Sequence, residues 1–209
     1  MRVVRAEEPD AVKQAARVLR EGGLVVFPTD TVYGVGAAVD RPDAVARLYV
    51  VKGRPLDRPI PVLIADMDQL ERLASEITEE VQLLARRFWP GALTIVVPAQ
   101  WWLPREIVRD TGAVGLRMPD HPVALAIIRA ADGAVATTSA NRSGEREACT
   151  VDEAIAALGD AVDLYVDGGQ TPGGVPSTVV ALEQGTLRVL RHGALSPEFI
   201  ERVLQERHR

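Results

Sequence analysis

The period of the apolar positions changes along the chain, and each change predicts an element. After Pro9, the residues Ala11, Val12, Ala15, Ala16, Val18 and Leu19 follow the spacing of one helix face, and Gly22-Gly23 supplies the permissive backbone that ends it. LVVFP at 24–28 is a short apolar run bounded by Gly and Pro, which predicts a buried strand. Thr29 to Gly36 is expected to be the exit from that strand. Pro42 to Val51 has helical spacing, whereas PIPVLI, FWPGALTIVVP, GAVGLRM and GAVATTS predict short strands with turn residues at their edges. Further helices are expected to open at Thr78-Glu79-Glu80, over His121 to Ala131, after the capping box Thr150 to Glu153, and at Ser196-Pro197-Glu198. This interleaving predicts an α/β fold with a twisted mixed sheet, although the pattern fixes neither strand order nor direction. With no repeat, linker or break in composition, residues 1–209 are expected to form a single domain.

Composition narrows the function classes. The 209 residues are 47% apolar and 25% charged, enough for one well-buried core. The net charge of −5 argues against an overall electrostatic grip on nucleic acid, so any anion site must be local. Cys149 is the only cysteine, which excludes an intramolecular disulfide and fits a reducing compartment; a cytoplasmic location is expected. No run has the length or apolar character of a membrane span or signal peptide. His121, His192 and His208 are scattered, without the spacing of a zinc site, and a tightly bound transition metal is not expected.

Four segments carry candidate chemistry, and each also has an ordinary structural reading. In FPTDTVYGVG, Thr29, Asp30 and Thr31 follow a buried strand, where ligands collect in open α/β sheets; the same residues are common turn formers. VVKGRPLDRP concentrates Lys52, Arg54 and Arg58, and two side chains two residues apart on extended backbone share a side. That suits a triphosphate, or a solvated basic loop. TTSANRSG places hydroxyl and amide groups after an apolar strand, able to hold phosphate or ribose oxygens or to cap a helix. DGGQTPGGVPSTVV lets backbone approach a ligand closely without being a P-loop or dinucleotide fingerprint, and is equally a surface loop. Arg117 and Arg191 lie near the ends of predicted strands, where a guanidinium fork can take a carboxylate or phosphate, or form a structural ion pair. Cys149 has no base nearby in sequence and is assigned no role.

Together these segments resemble the YrdC-like family of threonylcarbamoyl-AMP synthases, from about Gly22 to Gly193. The carriers are FPTDTVYGVG, Lys52-Gly53-Arg54-Pro55, WPGALT, LRMPDHP, Ser139-Ala140-Asn141, and VPSTVV before VLRHG, in that order. The resemblance implies a twisted sheet and helices around a deep, positively lined cavity. It implies synthesis of threonylcarbamoyl-AMP and pyrophosphate from L-threonine, bicarbonate and ATP, for N6-threonylcarbamoyladenosine in tRNA. Lys52 and Arg54 then stand as catalytic residues; Lys52, Arg54, Arg58, Ser139, Asn141 and Arg191 as the ATP side; Thr31, Arg117, Thr137 and Ser177 as the L-threonine side. Mg²⁺ is expected to arrive with ATP, with no metal held by the protein alone and no tightly bound cofactor. The expected partners are tRNA-modification proteins that receive the adenylate, with weak RNA binding and no membrane contact. Three positions depart from the pattern: Arg58 where some relatives have Asn, Leu63 where some have His, and Glu147 where a serine often approaches ATP. Glu147 is left out of the expected site, since a carboxylate repels phosphate unless magnesium intervenes. The length matches the compact form of the family, without an extra C-terminal domain. The alternatives are a YciO-type paralogue with ATPase activity on another substrate and a non-enzymatic RNA-binding module. The acidic charge counts against the module, and the retained Lys52-x-Arg54 and Ser139-x-Asn141 pairs count against the paralogue.

Overall fold

The computed structural model describes residues 1–173, 175–183 and 185–206. Among these, ten strands join in one sheet: β1 (Val3–Arg5), β2 (Val25–Pro28), β3 (Tyr33–Ala38), β4 (Val62–Leu63), β5 (Leu93–Pro98), β6 (Ala113–Arg117), β7 (Val135–Ser139), β8 (Leu164–Asp167), β9 (Thr178–Glu183) and β10 (Thr186–Arg191). Their order is β1-β8-β2-β3-β7-β4-β6-β5-β9-β10. β8 runs parallel to both β1 and β2, β4 to β6, and β5 to β9, while β3 is antiparallel to β2 and β7. The expected mixed sheet is therefore observed.

The sheet is covered on both faces, which explains the unbroken burial of β2. On one side α1 (Ala11–Arg20) and α6 (Pro122–Ala130) pack Ala15, Leu19, Ile127 and Ile128 against Val25, Phe27 and Leu164. The other side receives α2 (Pro42–Lys52), α4 (Glu79–Phe88), α7 (Val151–Leu158) and α8 (Pro197–Glu206), over Leu24, Val26, Tyr33 and Val35. Two short helices, α3 (Asp68–Leu73) and α5 (Arg105–Val108), complete the set and were not expected from the pattern. The capping box forms as the spacing predicts: Glu153 N donates to Thr150 Oγ1 at 3.3 Å and Thr150 N to Glu153 Oε2 at 3.2 Å. Among the described residues, no helix is long and apolar enough to cross a membrane.

Two expectations are corrected. The segment expected to be a strand exit contributes β3, a fully buried central strand from Tyr33 onward. Its Gly and Ala residues carry little strand preference, but they permit close packing: a Cβ on Gly34 would lie 2.7 Å from Thr137 Cγ2, and one on Gly36 2.6 Å from Val135 Cγ1. The run PIPVLI yields only the two-residue β4, because Pro59 and Pro61 cannot donate to a ladder.

Candidate active site

The sheet brings the start of β3, the ends of β6 and β7, the end of α2 and the loop before β9 to one cavity of about 260 Å³. All ten sequence-predicted site residues line it: Thr31, Lys52, Arg54, Arg58, Arg117, Thr137, Ser139, Asn141, Ser177 and Arg191. The register accounts for part of this convergence. Gly34 pairs with Ser139 and Gly36 with Thr137 across β3 and β7, and Leu63 pairs with Arg117 across β4 and β6. Among the described lining residues, five cationic side chains face the carboxylates of Glu145 and Glu147. Gly174 of the glycine-rich loop and His208 lie outside the described residues.

Lys52 ends α2, where Gly53 adopts a left-handed backbone at φ 58° and turns the chain away. Its side chain is buried, with 3% of its surface exposed. Nζ donates to the carbonyl oxygen of Ser139 and, at 2.6 Å, to that of Asn141, with Asn141 Oδ1 further off at 3.4 Å. Ser143 N returns a bond to Lys52 O at 2.8 Å, while Asn141 Nδ2 donates to Arg142 O and Glu145 O at 2.9 and 2.8 Å. Lys52 thus holds the loop that carries Ser139 and Asn141. Burial, and secondarily the Arg54 charge, lower the Lys52 ammonium to a pKa of about 8, although Glu147 pulls the other way.

Arg54 bonds back to its own loop, with Nε on Arg58 O at 2.9 Å and Nη2 on Pro59 O at 2.8 Å. Arg191, the last residue of β10, reaches Ser177 O and Ser177 Oγ at 2.9 and 3.0 Å through Nη2. Ser177 Oγ also lies 2.8 Å from Thr94 Oγ1. Burial lowers the pKa of both arginines, which still leaves each a cation at neutral pH.

Arg117 is held differently. Nη2 meets Asp30 Oδ1 at 2.5 Å, Nη1 donates to Thr31 Oγ1 at 3.2 Å and Nε to Gly91 O at 2.9 Å. Arg117 is 6% exposed, and burial lowers its pKa although the Asp30 carboxylate offsets part of that penalty. Thr29 Oγ1 sits 3.1 Å from Thr31 Oγ1 and donates to Val32 O at 2.7 Å, so the turn presents its hydroxyls in fixed positions.

The structure adds residues that the sequence reading did not assign. Asp30 is the partly buried counter-ion of Arg117 rather than simply a ligand contact, a pairing across 87 positions that no local pattern announces. Thr94, inside the WPGALT segment, touches Ser177. Glu147, left out of the expected site, lines the cavity and acts electrostatically on both Lys52 and Arg191. Among the described residues, no group of three or more His, Cys, Asp or Glu could hold a metal ion.

A family model described as Telomere recombination, that of the Sua5/YciO/YrdC proteins, matches residues 17–193. The chain belongs to this family. The threonylcarbamoyl-AMP synthase of Pyrococcus abyssi is 43% identical over 195 residues, covering 93% of this chain and 57% of that protein. The threonylcarbamoyl-AMP synthase of Bacillus subtilis is 42% identical, covering 94% and 57%. This chain therefore spans little more than half the length of those two relatives, whereas it covers 88% of a putative threonylcarbamoyl-AMP synthase from Mycobacterium tuberculosis at 41% identity. Among solved structures, P. abyssi Sua5 complexed with L-threonine superposes with a TM-score of 0.91 at 42% identity, covering 97% of this chain and 60% of that one. E. coli YciO shares the fold, with a TM-score of 0.82 at 24% identity, covering 93% of this chain and 96% of that one.

Proposed function

We propose that this protein makes threonylcarbamoyl-AMP and pyrophosphate from L-threonine, bicarbonate and ATP. The observation that carries this reading is the meeting, in one cavity, of an arginine set among hydroxyls with a separate group of cations beside a loop of hydroxyl and amide side chains. Arg117, with Thr31, Thr137 and Ser177, suits an amino acid whose carboxylate takes the guanidinium and whose hydroxyl meets other hydroxyls. Lys52, Arg54, Arg58 and Arg191, with Ser139 and Asn141, suit the phosphates and ribose of ATP.

The chemistry needs no covalent enzyme intermediate. The threonine nitrogen attacks the carbon of bicarbonate, water leaves, and a carbamate oxygen then attacks the α-phosphorus of ATP as pyrophosphate departs. Lys52 and Arg54 would offset the charge that grows on the phosphate oxygens, and the fixed hydroxyls would hold the carbamate in line. Mg²⁺ would fit the donor set only as an ion shared with the substrate: Glu145 and Glu147 line the cavity and could offer carboxylates, with the phosphates supplying the rest. When bound, such an ion neutralises phosphate charge. The labile adenylate would pass to cytoplasmic tRNA-modification proteins, which use it on adenosine.

The test is pyrophosphate release from Mg·ATP by the purified protein, with L-threonine and bicarbonate supplied together and each omitted in turn. Release that requires both, with L-serine a poor substitute, is expected. Phosphate release independent of threonine would overturn the reading in favour of an ATPase acting on another substrate.

A further inference from the structure

A second cavity, of about 250 Å³, opens at the opposite end of β3 and β7 from the candidate active site. Ala38 and Val39 line it where β3 ends, and Ala134 where β7 begins, with Leu73 and Trp102 as larger apolar walls. The turn that carries Trp102 is fastened to the end of α3: Gln100 N donates to Leu73 O at 2.9 Å and Gln100 Nε2 to Ala74 O at 3.0 Å. The indole is 41% exposed, so part of the ring remains open.

The polar groups of this cavity divide into two sets. Arg20 and Arg41 are committed: Arg20 donates to Ala130 O and lies 3.9 Å from Asp132, while Arg41 donates to Arg20 O at 2.8 Å and lies 3.7 Å from Asp40. These bonds cover carbonyls at the ends of α1 and α6, and the two carboxylates are paired. The uncommitted groups are both donors. Gln69 is 9% exposed, and its Oε1 is taken by Ala65 N and Asp66 N at 2.6 and 3.1 Å. Its Nε2 makes no hydrogen bond among the described residues, and neither does the Arg72 guanidinium, which also has no ion pair there.

We propose that this cavity is a binding site for a small organic anion with a planar apolar body. The body would stack on Trp102 and pack against Leu73. Its anionic group would accept from Gln69 Nε2 and Arg72, two donors on the cavity wall that have no protein partner among the described residues. The two carboxylates on the wall, Asp40 and Asp132, each already face an arginine, which leaves Arg72 as the charge without a counter-ion among the described residues.

The test uses 1-anilinonaphthalene-8-sulfonate, a planar aromatic anion, titrated against the whole folded chain by fluorescence. One saturable site is expected, undisturbed by saturating Mg·ATP and L-threonine. Gln69→Glu is the sharpest variant, because it keeps the oxygen that accepts from Ala65 and Asp66 while replacing the free amide nitrogen with a second carboxylate oxygen. It should weaken the probe by about tenfold or more, as should Trp102→Ala, with the melting temperature of each variant checking the fold. Arg72→Ala, at an exposed side chain, carries the test if Gln69→Glu fails to fold. Undiminished probe binding in the folded variants, or displacement by Mg·ATP, would overturn the proposal.

Discussion

Lys52 and Arg117 are both buried cations on the wall of one cavity, and the fold holds them in opposite ways. Around Lys52 the acceptors are neutral carbonyls, and no carboxylate lies within ion-pair distance among the described residues. Arg117 instead meets the carboxylate of Asp30 directly. The first arrangement leaves a positive charge undersatisfied until an anion arrives, so phosphate binding should be coupled to proton uptake. In the second, an incoming carboxylate must compete with an anion already present, so selectivity there depends on geometry and on the neighbouring hydroxyls more than on charge.

The largest effect should come from removing a cation on the undersatisfied side. Lys52→Ala or Arg54→Ala is expected to lower kcat/KM for pyrophosphate release by at least about 10²–10³-fold while circular dichroism stays that of the parent. Near-parental turnover in either variant would remove it from the chemistry. Next, Asp30→Asn leaves Arg117 buried without a counter-ion and should cost about 3–5 kcal/mol in unfolding free energy. Saturating L-threonine should restore much of that loss, because its carboxylate replaces the missing charge. A deficit that threonine does not touch would mean that Asp30 serves the fold alone.

A smaller effect concerns pH. With the Lys52 pKa lowered to about 8, ATP affinity should fall as pH rises above 8, by at most about tenfold per pH unit for one linked proton. A binding isotherm that stays flat from pH 7 to about 9.5 would contradict the assignment. The stability sign is the reverse. Between about pH 8 and the ordinary lysine value of 10.5, the folded state holds fewer protons than the unfolded chain. Burial of Lys52 thus costs stability fully below that window, and the cost fades as pH rises through it. The smallest effect lies away from both cations: Thr150→Ala should cost about 1 kcal/mol by removing the α7 cap, with substrate KM values unchanged.

The contrast between the two cations also marks how far sequence reasoning reaches. LVVFP announced β2 through its unbroken apolar run, and the ten cavity residues could be picked out because their segments resemble a family in order and spacing. Sequence patterning did not show β3 as a central strand, since its glycines are chosen for backbone approach rather than strand preference. Pairing across distance was equally hidden. Asp30 and Arg117 meet only because β6 ends beside the turn before β3, and Glu147 enters the wall because Lys52 clamps the preceding loop. Local periodicity carries no record of such contacts. β8 falls in a stretch where no strand was expected, although all but its last residue are buried.

The position of β8 matters for how the molecule is assembled. Leu164–Asp167 lies between β1 and β2, pairing Tyr165 with both Val3 and Val26. During synthesis the first strand has no sheet partner until most of the chain has emerged, and the outer edge of β2 stays open for the same interval. Pairings this remote in sequence are slow to close, and an uncovered apolar edge invites another chain to fill it. A nascent chain stalled before Leu164 therefore presents Val25, Val26 and Phe27 as a sticky edge, making the late arrival of four residues a point of vulnerability for the whole molecule.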